Sequence, residues 1–363
     1  MRILIFLLCI MSLPVRAQSL LREEIGKLMQ REWDQFDFSG VLLVAREGKP
    51  VYYKAKGYRR FNGEHKLRKT DLFEWASISK SFTSMVILQL KEVGKLNYED
   101  SLGKFIPGLP YHGITIRHLL THTSGIPDYQ EIMDQYWDKS RIAGNEEVIR
   151  YLKQYPRPML FPPGSKYAYS NTGYLLLASI AEAVSGRSFT EWVNERIFDP
   201  LKMHGAGFRN PGSRSRIKNF AWGHIYEEDK KRYTHADSFP AFNYTIWLGE
   251  RMGPGRISGS ALDLLKWDRA LYTGKPVSQK ILEEAFQPYR LSDGGISNYG
   301  FGWALRTHPT LGRVVHHSGD NPGYRTHIVR YIDKKYTVIL LNNTSSGRME
   351  DILKELEEML VRN

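Results

Sequence analysis

Cysteine is almost missing from this chain of 363 residues: there is one, Cys9, close to the N-terminus. A lone thiol makes no internal disulfide and cannot build a thiolate metal site. Cys9 raises lipid attachment, but Phe6-Leu7-Leu8 before it are bulky where small residues would be expected. Long apolar runs are missing too. The stretch Ile3 to Leu13 is too short to cross a bilayer, and no later stretch is long enough. No internal repeat, low-complexity tract or linker is visible, which sets aside fibrous and disordered classes. The chain also lacks G-x-S-x-G, G-x-x-x-x-G-K-[ST] and G-x-G-x-x-G, so nothing points to a nucleophile elbow, a P-loop or a dinucleotide fingerprint.

What is present is ordinary globular composition, 42% hydrophobic and 25% charged, enough for a large core in two lobes. Residues 1–17 read as a secretory leader: Arg2 gives the positive start, Ile3 to Leu13 the apolar stretch and Val15-Arg16-Ala17 a small-residue cleavage site. The expected location is therefore periplasmic or secreted. The alternative reading is a buried N-terminal helix. Formal net charge is +12, and losing Arg2 and Arg16 with a leader leaves +10. The Lys and Arg residues are scattered, as in Arg59-Arg60 and Lys230-Lys231-Arg232, with no stacking aromatics among them, so they read as a solvated surface and not as a nucleic-acid site.

Periodicity predicts a first helix over Leu20 to Trp33 and a β-hairpin from Ser39–Ala45 and Val51–Gly57 around Gly48-Lys49. Two further strands, Tyr324–Ile332 and Tyr336–Asn342, flank Asp333-Lys334-Lys335. A closing amphipathic helix carries Met349, Ile352, Leu353, Leu356 and Leu360 on one face. Helices are expected between, at Ile116–His122, Glu146–Gln154, Thr172–Val184, Phe189–Ile197 and Ala261–Tyr272, the last capped by Ser260 with Asp263. The fold class is thus α+β: one antiparallel sheet built from both chain ends and flanked by helices, with a mostly helical lobe inserted. The expected division is 18–80 with 256–363 for the sheet domain and 81–255 for the helical lobe, with a groove between them.

Three short motifs carry chemistry. Ser77-Ile78-Ser79-Lys80 precedes the helical run Phe82, Met85, Val86, Leu90 and Val93, so Ser77 and Lys80 share a face one turn apart and the amine can take the hydroxyl proton. At a helix start, free backbone N–H groups also point toward an oxyanion. Alone, this spacing equally fits an exposed pair on a helix face. Tyr169-Ser170-Asn171 follows the stiff turn Phe161-Pro162-Pro163-Gly164; a phenol can relay a proton and an amide can hold a carbonyl or the lysine. His317-Ser318-Gly319 lies in a predicted strand, where the imidazole, the hydroxyl and the backbone beside a glycine can bind a carboxylate or amide. His118 and His122, four apart on a predicted helix, could ligate zinc, but no acidic partner fits a ligand pattern and they read as structural.

In this order, S-x-x-K, Y-x-N and H-x-G resemble the serine β-lactamase and penicillin-binding protein superfamily, and within it the branch of class C β-lactamases, D-Ala-D-Ala carboxypeptidases and related esterases. Phe73-Glu74-Trp75-Ala76, Leu119 to Gly125 (L-L-T-H-T-S-G), Phe161 to Gly164 and Gly300-Phe301-Gly302-Trp303 fit the same branch, and the likeness covers about Ser39 to Asn343. The resemblance implies a β-lactamase/transpeptidase-like fold. It implies Ser77 as the acylated nucleophile, Lys80 as its base, Tyr169 as the proton relay, Asn171 as a ligand of substrate and lysine, and His317 on the carboxylate side beside Ser318 and Gly319. The oxyanion hole would be the backbone N–H groups of Ser77 and Asp320. No metal or organic cofactor is implied. For Lys80 to serve as base, burial and the helix start must favour its neutral form.

One departure matters. β-Lactamases of the superfamily mostly carry lysine where this chain has His317, and histidine is typical of its carboxypeptidases, D-amino-acid peptidases and esterases. A partly charged imidazole anchors a carboxylate less firmly. The expected function is therefore an exported serine hydrolase acting on an amide or ester, with D-amino-acid peptides or esters favoured and peptidoglycan fragments among the candidate partners. A class C-like β-lactamase is the alternative within the fold, and a non-catalytic penicillin-binding sensor the alternative outside enzymology. The chain is expected to act as a monomer, without nucleic acid and without a membrane span.

Overall fold

The computed structural model describes residues 3–61, 65–345 and 347–363, with side chains from Gln18 onward. In chain order, the elements that position the site are helix α1 (Ile3–Phe36), strands β1 (Gly40–Arg46) and β2 (Lys49–Lys56), then helices α2 (Ser79–Glu92), α3 (Ile116–Leu120), α4 (Asn171–Ser185) and α5 (Ala261–Ala270). Strands β3 (Ala304–His308), β4 (Gly312–Asn321), β5 (Tyr324–Tyr331) and β6 (Tyr336–Asn342) and helix α6 (Met349–Arg362) follow. α1 is longer than the periodicity suggests. It runs through Ala17, where a leader is expected to end; the side chains of that leader lie outside the described residues.

The six strands form one antiparallel sheet in the order β3-β4-β5-β6-β1-β2, so the two chain ends meet inside it, with Gly40 opposite Asn342 and Arg46 opposite Tyr336. This is the α+β, β-lactamase/transpeptidase-like arrangement expected from the sequence. The runs Val41-Leu42-Leu43-Val44-Ala45 and Val338-Ile339-Leu340-Leu341 do not alternate with polar residues because both faces of the sheet are covered. Leu42, Val44, Val338 and Leu340 pack against Leu21, Ile25 and Leu28 of α1 and Ile352, Leu356 and Leu360 of α6. Val41, Leu43, Ile339 and Leu341 face the larger core that holds Phe82, Val86 and Leu90 of α2 and Leu264 of α5.

The order of strands decides where the site lies. β3 pairs with β4 only from Gly312 to His316, while β5 follows β4 to Asn321. Residues 317–321 therefore extend past the end of β3 and pack beside the turn at Ala76–Ile78. Gly319 is needed at that contact: a Cβ there would come within 2.3 Å of the Trp75 carbonyl oxygen and 2.4 Å of Thr326 Oγ1.

α5 begins as its sequence predicts, with Ser260 accepting from Asp263 N and the Asp263 carboxylate reaching back to Ser260 N. The predicted helix Phe189–Ile197 divides into an α-helix, Phe189–Val193, and a wider turn, Asn194–Phe198, with i→i+5 bonding. The predicted helix Ile116–His122 stops at Leu120, and His122 takes a left-handed backbone conformation (φ 57°), which moves it away from His118.

Candidate active site

Ser77 sits on a short 3₁₀ turn, Ala76–Ile78, that leads directly into α2. Ala76 has φ 47°, a conformation that costs an L-residue about 1–2 kcal/mol. Strain of this kind persists only where the surroundings fix it, and here they do so on three sides. Trp75 is fully buried, donates from Nε1 to the Gly259 carbonyl at 3.1 Å and stacks on Phe82, which stacks on Trp267. Gly259 has no side chain because a Cβ would lie 2.4 Å from the Trp75 ring. Glu74, 3% exposed, accepts from Arg214 Nη1 at 2.8 Å and from the Asn321 amide at the end of β4, with Arg256 Nη1 4.0 Å away.

One turn further along α2, Lys80 is wholly buried. Its Nζ lies 3.0 Å from Ser77 Oγ, 2.9 Å from Asn171 Oδ1 and 2.9 Å from the Pro254 carbonyl oxygen. A neutral amine has two N–H donors and one lone pair. The Asn171 and Pro254 oxygens accept from Nζ, as does Ser77 Oγ, a hydroxyl that can in turn give its proton to the lone pair once the amine is neutral. Burial, with the Arg251 charge adding to it and Asp128 opposing, holds the Lys80 amine well below its ordinary pKa. Arg251 is itself buried against Tyr129, donating from Nη1 to its hydroxyl at 2.7 Å.

Tyr169 and Asn171 arrive together because Ser170 caps α4, accepting from Gly173 N, which makes Asn171 the first helical residue. The Tyr169 ring centre is 4.7 Å from Lys80 Nζ. Tyr169 is 44% exposed overall, but crowding around its phenol still raises the pKa, opposed by a hydrogen bond with the Ser77 hydroxyl, so the phenol is protonated at neutral pH. The structure thus brings Ser77, Lys80, Tyr169 and Asn171 into one cluster with Gly319 beside it.

His317 enters this cluster differently from its sequence expectation. It is 4% exposed. Its Nδ1 lies 2.6 Å from the Ser318 carbonyl oxygen, an obligate acceptor, and its Nε2 2.8 Å from the Tyr299 hydroxyl. The proton therefore sits on Nδ1, and Nε2 accepts from Tyr299. Burial, then the Lys80 charge, pushes His317 down to about 3. The imidazole is neutral and both nitrogens are in use, so it presents no free cationic donor to a carboxylate. Along β4 side chains alternate, which places His317 and Gly319 on the α2 side and Ser318 and Asp320 on the other. Ser318 and Asp320 are exposed, and the Asp320 carboxylate lies 3.4 Å from Arg325 Nε. What Asp320 can offer the groove is its backbone N–H.

Several participants carry no sequence motif of their own. The Pro254 carbonyl is a backbone group in a loop, Arg251 lies far from Lys80 in sequence, and Tyr299 is marked only by the adjacent Gly300-Phe301-Gly302-Trp303. The two histidines weighed as zinc ligands are both engaged: His118 Nδ1 accepts from Thr115 N at 3.2 Å and His122 Nδ1 from Ser170 N at 3.0 Å. Among the described residues no helix is long and apolar enough to cross a membrane.

Comparison with known proteins gives a consistent result. A family model described as Beta-lactamase matches residues 25–361. Penicillin-binding protein 4* of Bacillus subtilis (strain 168) is 38% identical over 342 residues, covering 93% of this chain and 76% of that protein. Among solved structures, the octameric penicillin-binding protein homologue from Pyrococcus abyssi aligns with a TM-score of 0.80 and 27% identity over 94% of this chain and 77% of that one. A penicillin binding protein from Bacillus halodurans aligns with a TM-score of 0.78 and 26% identity over 92% and 98%.

Proposed function

Because the chain belongs to the beta-lactamase family and is a serine hydrolase, we propose that it cleaves an amide or ester bond through an acyl-enzyme on Ser77, with D-amino-acid peptides or esters as the favoured substrates. The observation that carries this reading is the buried Lys80 amine, 3.0 Å from Ser77 Oγ and pushed toward its neutral form by burial. In the acylation step Ser77 Oγ attacks the carbonyl carbon while its proton passes to Lys80 Nζ. The oxyanion forms against the backbone N–H groups of Ser77 and Asp320, each donor of such a hole being worth about 3 kcal/mol to the transition state. As the C–N or C–O bond breaks, the proton reaches the leaving group through the Tyr169 hydroxyl, and Lys80 returns to its neutral state. Water then attacks the ester carbonyl, giving up a proton along the same route, and releases the acid with Ser77 restored.

The preference for D-amino-acid peptides and esters over β-lactams rests on His317. A neutral imidazole with both nitrogens occupied anchors the carboxylate of an antibiotic more weakly than a lysine would. The complete Ser77, Lys80 and Tyr169 set keeps a class C-like β-lactamase as the second reading, and it argues against a sensor that acylates without turnover. Site-directed loss is the decisive test: Ser77→Ala should abolish turnover of an activated p-nitrophenyl ester, and retention of full turnover would overturn the reading. Nitrocefin run beside the ester separates the alternatives, since rapid lactam turnover favours the β-lactamase and a persistent penicillin adduct without ester turnover identifies a sensor. We further propose export by the leader at residues 1–17 and action as a monomer, since every side chain of the site comes from one chain; N-terminal sequencing of the protein recovered outside the cytoplasm and light scattering test these two points.

A further inference from the structure

The proposed mechanism leaves one buried polar side chain unused beside its proton relay. His122 is fully buried and lies in a segment, Thr121 to Gly125, that runs alongside the Leu160–Ser170 loop. Gly125 O accepts from Leu160 N and Thr123 O from Gly164 N, both at 2.8 Å. His122 continues this ladder in an unusual way. Its carbonyl accepts from Ala168 N at 2.9 Å and its ring Nδ1 accepts from Ser170 N at 3.0 Å. One residue thus binds the backbone on both sides of Tyr169. Its ring also packs on the Tyr169 ring with centres 4.3 Å apart, and on Tyr174 and Tyr299 at 4.9 and 4.6 Å.

Two features show that this arrangement is held at a cost. His122 adopts φ 57°, a region that Asn, Asp and His enter more readily than other non-glycine residues. Because Nδ1 accepts a backbone N–H, the ring proton is on Nε2, and that N–H is buried with no partner among the described residues. An apolar residue would avoid the unpaired donor, but it would leave the Ser170 N–H without an acceptor and Tyr169 without one of its two anchors.

We infer that His122 is a positioning residue for the proton relay, fixing the Tyr169 phenol against Ser77 and Lys80 through its carbonyl, its Nδ1 and its ring face. This deepens the reading of Tyr169 given above and rests on it. The test is a double-mutant cycle on p-nitrophenyl ester turnover. His122→Phe keeps a ring but removes the acceptor; it should lower kcat by about 10²-fold, the scale of a misplacement of about 1 Å, and leave KM within about threefold. His122→Asn, which tolerates the same backbone and can accept from Ser170 N, should recover about tenfold of that loss. In a Tyr169→Phe background the His122→Phe change should cost less than about threefold, because the group it positions is gone.

Equal losses in both backgrounds, or no rescue by Asn, would overturn the inference while leaving Tyr169 as relay. A Tyr169→Phe enzyme with unchanged kcat would instead overturn the relay itself. Should His122→Phe fail to fold, ¹⁵N spectra of the wild-type protein decide: an unprotonated Nδ1 coupled to the Ser170 amide is expected, and a protonated Nδ1 would overturn the inference.

Discussion

The two walls of the groove are built on opposite plans. On the α2 side, Ser77 stands on a strained turn, and Lys80, one turn on, is denied water beside the nucleophile, which pushes its amine toward the neutral form. On the β4 side, the titratable group is saturated: His317 has both nitrogens hydrogen-bonded within the protein and no charge to offer. Burial does both things. It makes a reactive base of a lysine because the neutral amine is the useful form, and it mutes a histidine because the cation would be the useful form for holding a carboxylate. The contrast teaches that such a site can be strongly committed to acyl transfer while its grip on substrate charge stays weak.

The largest expected effect attacks the α2 wall directly. Ser77→Ala should lower kcat/KM for an activated ester by about 10⁴-fold or more, and Lys80→Met by a similar order, with intact mass spectrometry showing loss of the acyl adduct in both. An adduct that still forms in Lys80→Met at the wild-type rate would erase the distinction between the walls. Next comes the support of the strained turn. Glu74→Gln removes the carboxylate that Arg256 faces and leaves Arg214 only Asp237, at 3.4 Å; breaking a buried pair in this way costs about 3 kcal/mol, which denaturant unfolding should record.

A smaller effect probes the histidines as a set. Burial pushes His317 down to about 3, and His224, His316 and His327 each to about 4, from an ordinary 6.5. Below pH 6.5 the unfolded chain binds protons that the folded chain refuses, so their contribution to stability is complete above about 6.5 and is lost as pH falls toward 4 and 3. Thermal unfolding followed from pH 7 downward should show a falling midpoint that begins near 6.5, and a flat midpoint to pH 4 would contradict a neutral β4 wall. The smallest effect sharpens specificity. Tyr299→Phe leaves the His317 Nε2 lone pair without its donor and facing any substrate carboxylate, so it should worsen KM for carboxylate-bearing peptides relative to neutral esters by up to about fivefold, the worth of one neutral hydrogen bond, with acylation otherwise little changed. Parallel losses for both substrates would place Tyr299 in packing alone.

How much of this was readable in the sequence follows the same division. The strands at Val41 to Ala45 and Tyr336 to Asn342, the cap Ser260-Asp263 and the α2 face are local patterns, and the motifs around Ser77, Tyr169 and His317 are short and ordered along the chain. Those could be read without coordinates. The state of His317 could not, because it depends on Tyr299 and on the Ser318 carbonyl, and hydrogen-bond partners are not part of a motif. For the same reason the Pro254 carbonyl and the Arg251 charge left no signal: a backbone oxygen has no residue signature, and a buried cation acts through distance. His122 was visible, but helical spacing paired it with His118; only the break of the helix after Leu120 turned it toward Tyr169.

To take the Ser77 proton, Lys80 must be neutral in the resting protein. An NMR titration of ¹³Cε-labelled lysine, with the Lys80 signal assigned by its loss in Lys80→Met, measures this directly. The Lys80 signal should already be that of a free amine at neutral pH and titrate well below the ordinary lysine range. A Lys80 signal that remains that of an ammonium up to an ordinary lysine pKa would contradict it.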